Sequence, residues 1–376
     1  MRRDMPTTDT RSEQMFPRLD PEEINRLRRF GDIRRCAAGE RLFVSGDVAP
    51  GMFLLISGSV RVTWRDPLGH GAPIVEQGLG EFVAEVGQLS GRPAFVDVHA
   101  IDNVEALLIP PENLRALMIK EGELGEKIMR ALILRRVALV EAGASGPVLI
   151  GPESSPDMMR LQGFLSRNEY PYQVLDPAKD RDAAELIKRY APNASDLPLA
   201  VCPKGSILKN PGEGELGRAL GMVRIDASDR VYDVAIVGTG PAGLSTAVYA
   251  GSERFSVIVF EACAIGGQAR ASARIENYLG FPTGISGQAL TWRAFVQAQK
   301  FDAEMAIPIS VVRLRATEAP LALHLGDGRR VKASRWWSRQ ALATGALTSR
   351  TSGTSRAEAS GTGPHRSRPA CDGGKR

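Results

Sequence analysis

Residues 234–261 read VAIVGTGPAGLSTAVYAGSERFSVIVFE. An apolar β-run, Val234–Val237, leads into Gly238-x-Gly240-x-x-Gly243; a helix-compatible stretch follows, and a second apolar run, Val257–Phe260, ends on Glu261. Gly238 permits a tight turn, Gly240 lets the backbone approach a pyrophosphate, and Gly243 lets the helix pack closely on the strand. Pro241 and Ala242, between the last two glycines, belong to the same predicted site, where the first helical N–H groups face the anion. Glu261 stands 23 residues past Gly238, the spacing of an acid that grips an adenosine ribose. A glycine triplet alone is weak evidence. Set in the order strand, turn, helix, strand, acid, it predicts a dinucleotide site.

The next stretch, IGGQARASARIENYLGFPTGISGQAL (residues 265–290), narrows the choice of dinucleotide. Its Gly-Gly-Gln loop and Asn-x-x-Gly-Phe-Pro-x-Gly-Ile segment resemble the FAD domain of the thioredoxin reductase family. By that resemblance Gly266, Gly267 and Gln268 line the pyrophosphate and flavin, and Asn277 contacts the isoalloxazine ring. Taken without the family, Gly266-Gly267 is a flexible loop and Asn277 a turn residue. The family passes hydride from NADPH to FAD, then to a Cys-x-x-Cys pair, then to a thioredoxin-type protein disulfide. This chain has four cysteines (Cys36, Cys202, Cys263, Cys371), none in that spacing, and no second glycine loop. No catalytic residue is therefore assigned, and little or no disulfide reductase activity is expected.

After "LHLGDGRRVKAS" the family continues with a buried strand of the type V-V-V-A-T-G-A-R, whereas this chain reads "RWWSRQALATGALTSR". Tryptophan has the single codon TGG. Reading each codon's last base with the next codon's first two turns Trp336-Trp337 into valine and lets the following residues read V-V-V-A-T-G-A-R-Y. A frameshift near Ser334 accounts for the fit; a basic, disordered tail is the rival reading. Either way residues 335–376 form an aberrant or disordered tail, with no fold expected from 336 onward.

The first module, residues 15–140, has short apolar runs punctuated by glycine: GERLFVSGD, GMFLLISGSVRVTWRD, APIVEQGLGEFVAEV and FVDVHAIDNVEALLIP. Strands at this spacing predict a small antiparallel barrel or jelly roll, with a helix capped by Asp20 before it and two helices after it. The pattern resembles the cyclic nucleotide-binding domain, through Gly39, Gly46-Asp47, Gly51, Gly58 and Gly80. By that resemblance the phosphate cassette is GEFVAEVGQLSGRPAFVDVHA, with Gly80, Glu85 and Arg92 as nucleotide-binding candidates. The cassette departs from the family: Ala84 replaces the glycine before Glu85, and the arginine position falls on Ala94, two residues past Arg92. Losing a charge-assisted phosphate contact costs about 1.5–3 kcal/mol. A barrel kept for docking or dimerising is the plainer reading.

Residues 147–226 alternate strand and helix in the order β-α-β-α-β-β-α, which resembles the thioredoxin/glutaredoxin fold. Leu197-Pro198 is the candidate cis bond. Ser154 and Ser155 stand where that fold carries its redox cysteines, and Cys202 sits in an apolar strand pattern as a core residue.

The chain's 376 residues suit two or three domains, and its net charge of +5 could suggest nucleic acid. Residues 334–376 hold eight basic and two acidic groups; without them 48 − 8 = 40 basic residues face 43 − 2 = 41 acidic ones. All the excess lies in the tail, so no nucleic-acid partner is expected, nor a metal or a membrane span. A cytoplasmic location follows from the lack of an apolar signal segment. The fold class is thus multidomain: a small antiparallel β-barrel with flanking helices, a thioredoxin-like α/β module without its cysteines, and a partial Rossmann-type FAD-binding α/β module over residues 230–334. The function implied is an FAD-dependent disulfide oxidoreductase with a regulatory nucleotide-binding module. The alternative is a nucleotide-responsive regulator carrying a remnant flavin module, with a homodimer through the barrel's long closing helix left open.

Overall fold

A computed structural model describes residues 9–143, 146–190, 193–223, 225, 230–316 and 319–338. Helices α1 (Asp9–Met15) and α2 (Pro21–Leu27) come first. Asp20 accepts the Glu23 N–H at 2.8 Å while the Glu23 carboxylate accepts the Asp20 N–H at 2.9 Å, a reciprocal cap with Pro21 at the first helical position.

Eight strands follow: β1 (Asp32–Cys36), β2 (Arg41–Phe43), β3 (Met52–Ser57), β4 (Val60–Arg65), β5 (Gly71–Gln77), β6 (Phe82–Val83), β7 (Val96–Ala100) and β8 (Val104–Ile109). They form two antiparallel sheets, in the orders β1-β8-β3-β6 and β2-β7-β4-β5. Strand β3 is apolar on both faces because each face meets a different core. Phe53 and Leu55 join Val60, Val62 and Val98 between the sheets, while Met52 and Leu54 meet the helices outside. Those helices are α3 (Pro111–Lys120) and the long α4 (Gly122–Ala142). The inner stripe of α4 runs Ile128, Leu132, Arg135, Arg136 and Leu139, so two arginines lie on its buried face.

The second module carries β9 (Val148–Ile150), α5 (Pro156–Arg167), β10 (Gln173–Leu175), α6 (Arg181–Tyr190), β11 (Leu199–Val201), β12 (Ile207–Lys209) and α7 (Glu213–Ala219). Its sheet order is β10-β9-β11-β12, with β9 and β10 parallel and the other pairs antiparallel. Met158, Leu161 and Leu165, on the inner face of α5, are fully buried. Leu197-Pro198 is cis. Ser155 caps α5, its Oγ accepting the Met158 N–H at 3.1 Å, and Cys202 is buried.

The third module has β13 (Val231–Val237), α8 (Pro241–Ser252), β14 (Val257–Phe260), α9 (Gly287–Lys300), β15 (Glu304–Ala306), β16 (Val311–Arg315), β17 (Leu321–Leu325) and β18 (Arg330–Ser338). Strands β15-β14-β13-β18 run parallel, and β17 and β16 add an antiparallel pair. Residues 335–338, expected to lie in the tail, belong instead to β18 and pair with β13, Ala235 opposite Trp336 and Ile236 opposite Trp337. The ladder uses backbone groups only, so it continues through side chains foreign to a buried strand. The rest of the predicted tail, from 339 on, lies outside the described residues.

One buried apolar cluster joins the barrel to the third module and another joins it to the second. Arg136 donates from Nε to the Glu169 carbonyl at 2.9 Å. Glu169 in turn accepts from Arg270 at 2.5 Å and Gln288 at 2.7 Å, and Asn168 donates to the Cys263 carbonyl at 3.2 Å. Among the described residues no helix is long and apolar enough to cross a membrane.

Arg136→Met keeps most of the aliphatic stem but leaves the Glu169 carbonyl unpaired inside the protein. A loss of roughly 1–3 kcal/mol is expected in urea unfolding, and an unchanged midpoint would show that the arginine does not hold the modules together.

Candidate functional site

Strand β13 ends at Gly238, whose φ of 105° only glycine adopts without strain. Its N–H donates to the Phe260 carbonyl at 2.8 Å, closing the loop onto β14. Gly240 caps α8 without any side-chain acceptor, so the first N–H groups of α8 keep their capacity for an anion. A methyl group added at Gly238 or Gly240 would meet nothing within 4 Å, whereas one at Gly243 would lie 2.0 Å from the Gly238 carbonyl oxygen. The three glycines therefore do different things. The first two leave space above the loop, and the third lets helix and strand touch.

Glu261 closes the site from β14. Its Oε2 accepts the Thr239 N–H at 3.0 Å and the Thr239 hydroxyl at 2.9 Å, and its Oε1 accepts the Cys263 N–H at 3.2 Å. Carboxylate oxygens offer about four acceptor positions, so Glu261 retains capacity for a ribose hydroxyl. The Gly266 N–H donates to the Thr239 carbonyl at 3.0 Å, and a methyl on Gly267 would stand 3.3 Å from the Gly240 Cα. Gly266-Gly267 thus lies directly against the glycine loop. Gln268 is exposed beside it. Asn277 is exposed in a loop closed by the Ile275–Ile285 bridge, and its neighbour Tyr278 shares a 2.9 Å hydrogen bond with Ser245 of α8. Pro241 and Ala242 form the first turn of α8. Thr239, which ties Glu261 and Gly266 together, was not singled out from sequence. Its hydroxyl at a variable position of the motif was the available signal.

The barrel candidates do not converge in the same way. Gly80 is a turn residue (φ 79°), its N–H donating to the Leu55 carbonyl at 2.9 Å. Glu85 is buried, with Oε1 accepting the Phe95 N–H at 2.8 Å and the Val96 N–H at 3.3 Å. Burial pushes its carboxyl up to about 7, against the Phe95 hydrogen bond and the positive charge of Arg136. Arg92 follows the left-handed Gly91 and lies over the Phe295 ring of α9, 5.4 Å from its centroid, instead of beside Glu85. Arg135 lines the same cavity as Glu85. The arginine donates to the carbonyls of Met15 at 2.9 Å and Phe82 at 3.0 Å and stacks on Phe16 and Phe82. The cavity left there, between Met15, Val62, Val75, Ala84, Glu85 and Arg135, is about 50 Å³, far below the roughly 300–1,000 Å³ of small-molecule sites.

The comparisons with known proteins follow this division. The family described as the cyclic nucleotide-binding domain matches residues 33–121, and the NAD(P)-binding Rossmann-like domain matches residues 236–298. NADPH-dependent thioredoxin reductase 3 of Arabidopsis thaliana is 36% identical over 106 residues, covering 27% of this chain and 20% of the relative. Thioredoxin reductase of Bacillus subtilis is 40% identical over 80 residues, covering 21% of this chain and 25% of the relative. The chain joins a cyclic nucleotide-binding domain to a thioredoxin reductase-like region. It spans a fifth to a quarter of the length of these two relatives. Among solved structures, thioredoxin reductase from Streptococcus pyogenes aligns at 31% identity and a TM-score of 0.28, covering 30% of this chain and 35% of that one.

The buried Glu85 makes a pH-dependent contribution with a definite sign. Its carboxyl titrates near 7 when folded and near 4.5 when exposed, so the folded state binds the extra proton between those values. Its contribution to stability is full below about pH 4.5 and is lost as pH rises through 7, by up to about 1.4 kcal/mol per pH unit. Glu85→Gln should flatten the fall in stability over that window, measured by denaturation at several pH values; an unchanged slope would contradict it.

Proposed function

We propose that the third module holds FAD on the Gly238–Gly243 loop and serves as the flavin part of a thioredoxin reductase-type disulfide oxidoreductase. The observation that carries this reading is the open space over Gly238 and Gly240, flanked by the uncapped start of α8 and by Glu261. In this reading the α8 N–H groups take the pyrophosphate, Glu261 takes the adenosine ribose, and Gly266, Gly267 and Gln268 follow the chain toward the flavin. Asn277 faces the isoalloxazine ring. Bound FAD supplies two-electron transfer, with NADPH as donor and a thioredoxin-type disulfide as acceptor. The 376 residues contain no Cys-x-x-Cys pair, so they are assigned flavin binding with little or no disulfide turnover of their own.

The order β10-β9-β11-β12, with its parallel first pair, supports a thioredoxin-like second module in which Ser154 and Ser155 replace the thiols. Its part is structural, since a hydroxyl does not exchange with disulfides. The barrel acts as a docking and regulatory module. The family match over residues 33–121 favours a second reading, a nucleotide-responsive regulator. Against it stands the barrel interior, where a cyclic nucleotide must displace Arg135 and Phe16 to enter.

Gly240→Val tests the flavin reading directly. The residue has φ −63° and open space beyond its Cα, so the variant should fold while its side chain occupies the ligand's place. After reconstitution with FAD and dialysis, the unaltered chain should keep a visible flavin spectrum. The variant should bind FAD roughly tenfold more weakly or worse, a loss of about 1.4 kcal/mol or more. Equal flavin retention, or none in either protein, sinks the proposal.

A further inference from the structure

We propose that Glu169, in the second module, is a positioning residue of the flavin site: it fixes the Gly266-Gly267 loop in place for the flavin half of FAD. The inference rests on the flavin reading above and adds to it a residue from outside the dinucleotide module.

The backbone at Glu169 runs against its side chain. Asn168 is the C-cap of α5; beyond it the Glu169 N–H donates to the Ser166 carbonyl at 3.2 Å and the Tyr170 N–H to the Leu165 carbonyl at 3.0 Å. This pair of bonds closes a helix end in which glycine usually takes the left-handed position. Here that position has φ 52° and carries a glutamate. A side chain held in this region is strained, and strain of this kind collects at functional sites. Glycine would relieve it, so what the glutamate supplies is its carboxylate.

That carboxylate reaches two elements of the third module through one oxygen. Its Oε1 accepts from Arg270, in the short turn Gly267–Ala271, and from Gln288, in the first turn of α9. The Glu169 and Arg270 side chains are only 10% and 11% exposed, and a charge-assisted bond withdrawn from water is strong and fixes geometry. Arg270 also donates to the Ser166 carbonyl at 3.3 Å, and the fully buried Asn168 donates to the Cys263 carbonyl at 3.2 Å. One helix end thus holds residues 263–270 at both ends, with Gly266 and Gly267 between them. Those two glycines have φ 99° and 54°, and glycine loses more conformational freedom on ordering than any other residue. Within its own module the Gly266 N–H rests on Thr239, its carbonyl at 3.0 Å and its hydroxyl at 3.1 Å. Holding the loop from outside removes its ordering cost from ligand binding.

The test titrates FAD and ADP separately into the full chain, because the two ligands use different parts of the site. ADP needs only the start of α8 and Glu261, whereas FAD needs the Gly266-Gly267 loop as well. Glu169→Gly relieves the backbone and removes the carboxylate. FAD affinity should fall roughly 10- to 100-fold, the loss of one charge-assisted contact, while ADP affinity changes by less than about threefold. Glu169→Gln keeps an acceptor for Gln288 without the charge, and its FAD affinity should lie between the two. If Glu169→Gly fails to fold, Glu169→Gln and Arg270→Gln, which opens the clasp from the loop side, carry the comparison. Parallel losses of FAD and ADP affinity mark a general disturbance of the fold and overturn the positioning role, as does undiminished FAD affinity in the folded variants. An unaltered chain that binds FAD no more tightly than ADP overturns the flavin reading itself, and this inference with it.

Discussion

The guanidinium of Arg136 stands against three aromatic rings, one from each module. Its Cζ lies 4.2 Å from the centroid of Phe95 in the barrel, 5.8 Å from Tyr170 in the second module and 5.9 Å from Trp292 on α9. Burying a cation in this way carries a desolvation cost, visible in the lowering of its pKa. The cost is offset by the ring faces, the Glu169 carbonyl and the charge of Glu85 nearby. Because α4 carries this residue, α4 is both the closing helix of the barrel and the axle on which the other two modules are mounted. The clasp of Glu169 with Arg270 and Gln288 depends on the same placement, since the Glu169 backbone is what Arg136 holds. The second module has no thiols to exchange, yet it shapes the glycine-rich site. Its α5 end grips both sides of the Gly266-Gly267 loop, at Cys263 and at Arg270.

The parts legible in the sequence are those specified locally. The glycine loop could be placed to the residue because its turn, its helix start and its close packing each require glycine at a fixed position, and Gly238 and Gly243 meet that requirement in the structure. The cap at Asp20 was legible for the same reason, since it is decided within the first turn of its helix. The direction of Arg92 was not. Its peptide is set by the Gly91 turn and by a hydrogen bond from its own N–H to the Gly87 carbonyl, and its neighbour Pro93 is wedged against Gly221 at the end of the second module. No local rule reaches from the barrel to Gly221, so packing between modules decided the orientation.

The two arginines of α4 show a related limit. Their spacing from Ile128, Leu132 and Leu139 puts them on the apolar face of the helix, and that signal was present in the sequence. What the pattern does not carry is where a buried cation finds its acceptors. Arg135 finds them in the carbonyls of Met15, Phe82 and Ala84, and Arg136 in that of Glu169, all of which depend on how distant segments meet. Strand β18 is the opposite case. Its side chains argue against a buried strand, yet its backbone pairs with β13 as far as Ser338, because the ladder does not read side chains.

Together these placements account for the contrast between the two cavities of the barrel. Arg135 enters the interior from α4, under Met15 and Phe16, and leaves about 50 Å³ there. Arg92, turned away from that interior by the Gly91 turn, lies buried against Phe295 of α9, at the edge of a separate space of about 640 Å³ that α9 and β15 help to wall. One arginine therefore fills the inside of the barrel while another lies buried at its junction with α9. Arg135 owes its place to α4, whereas Arg92 owes its own to the Gly91 turn and to the packing of Pro93 on Gly221.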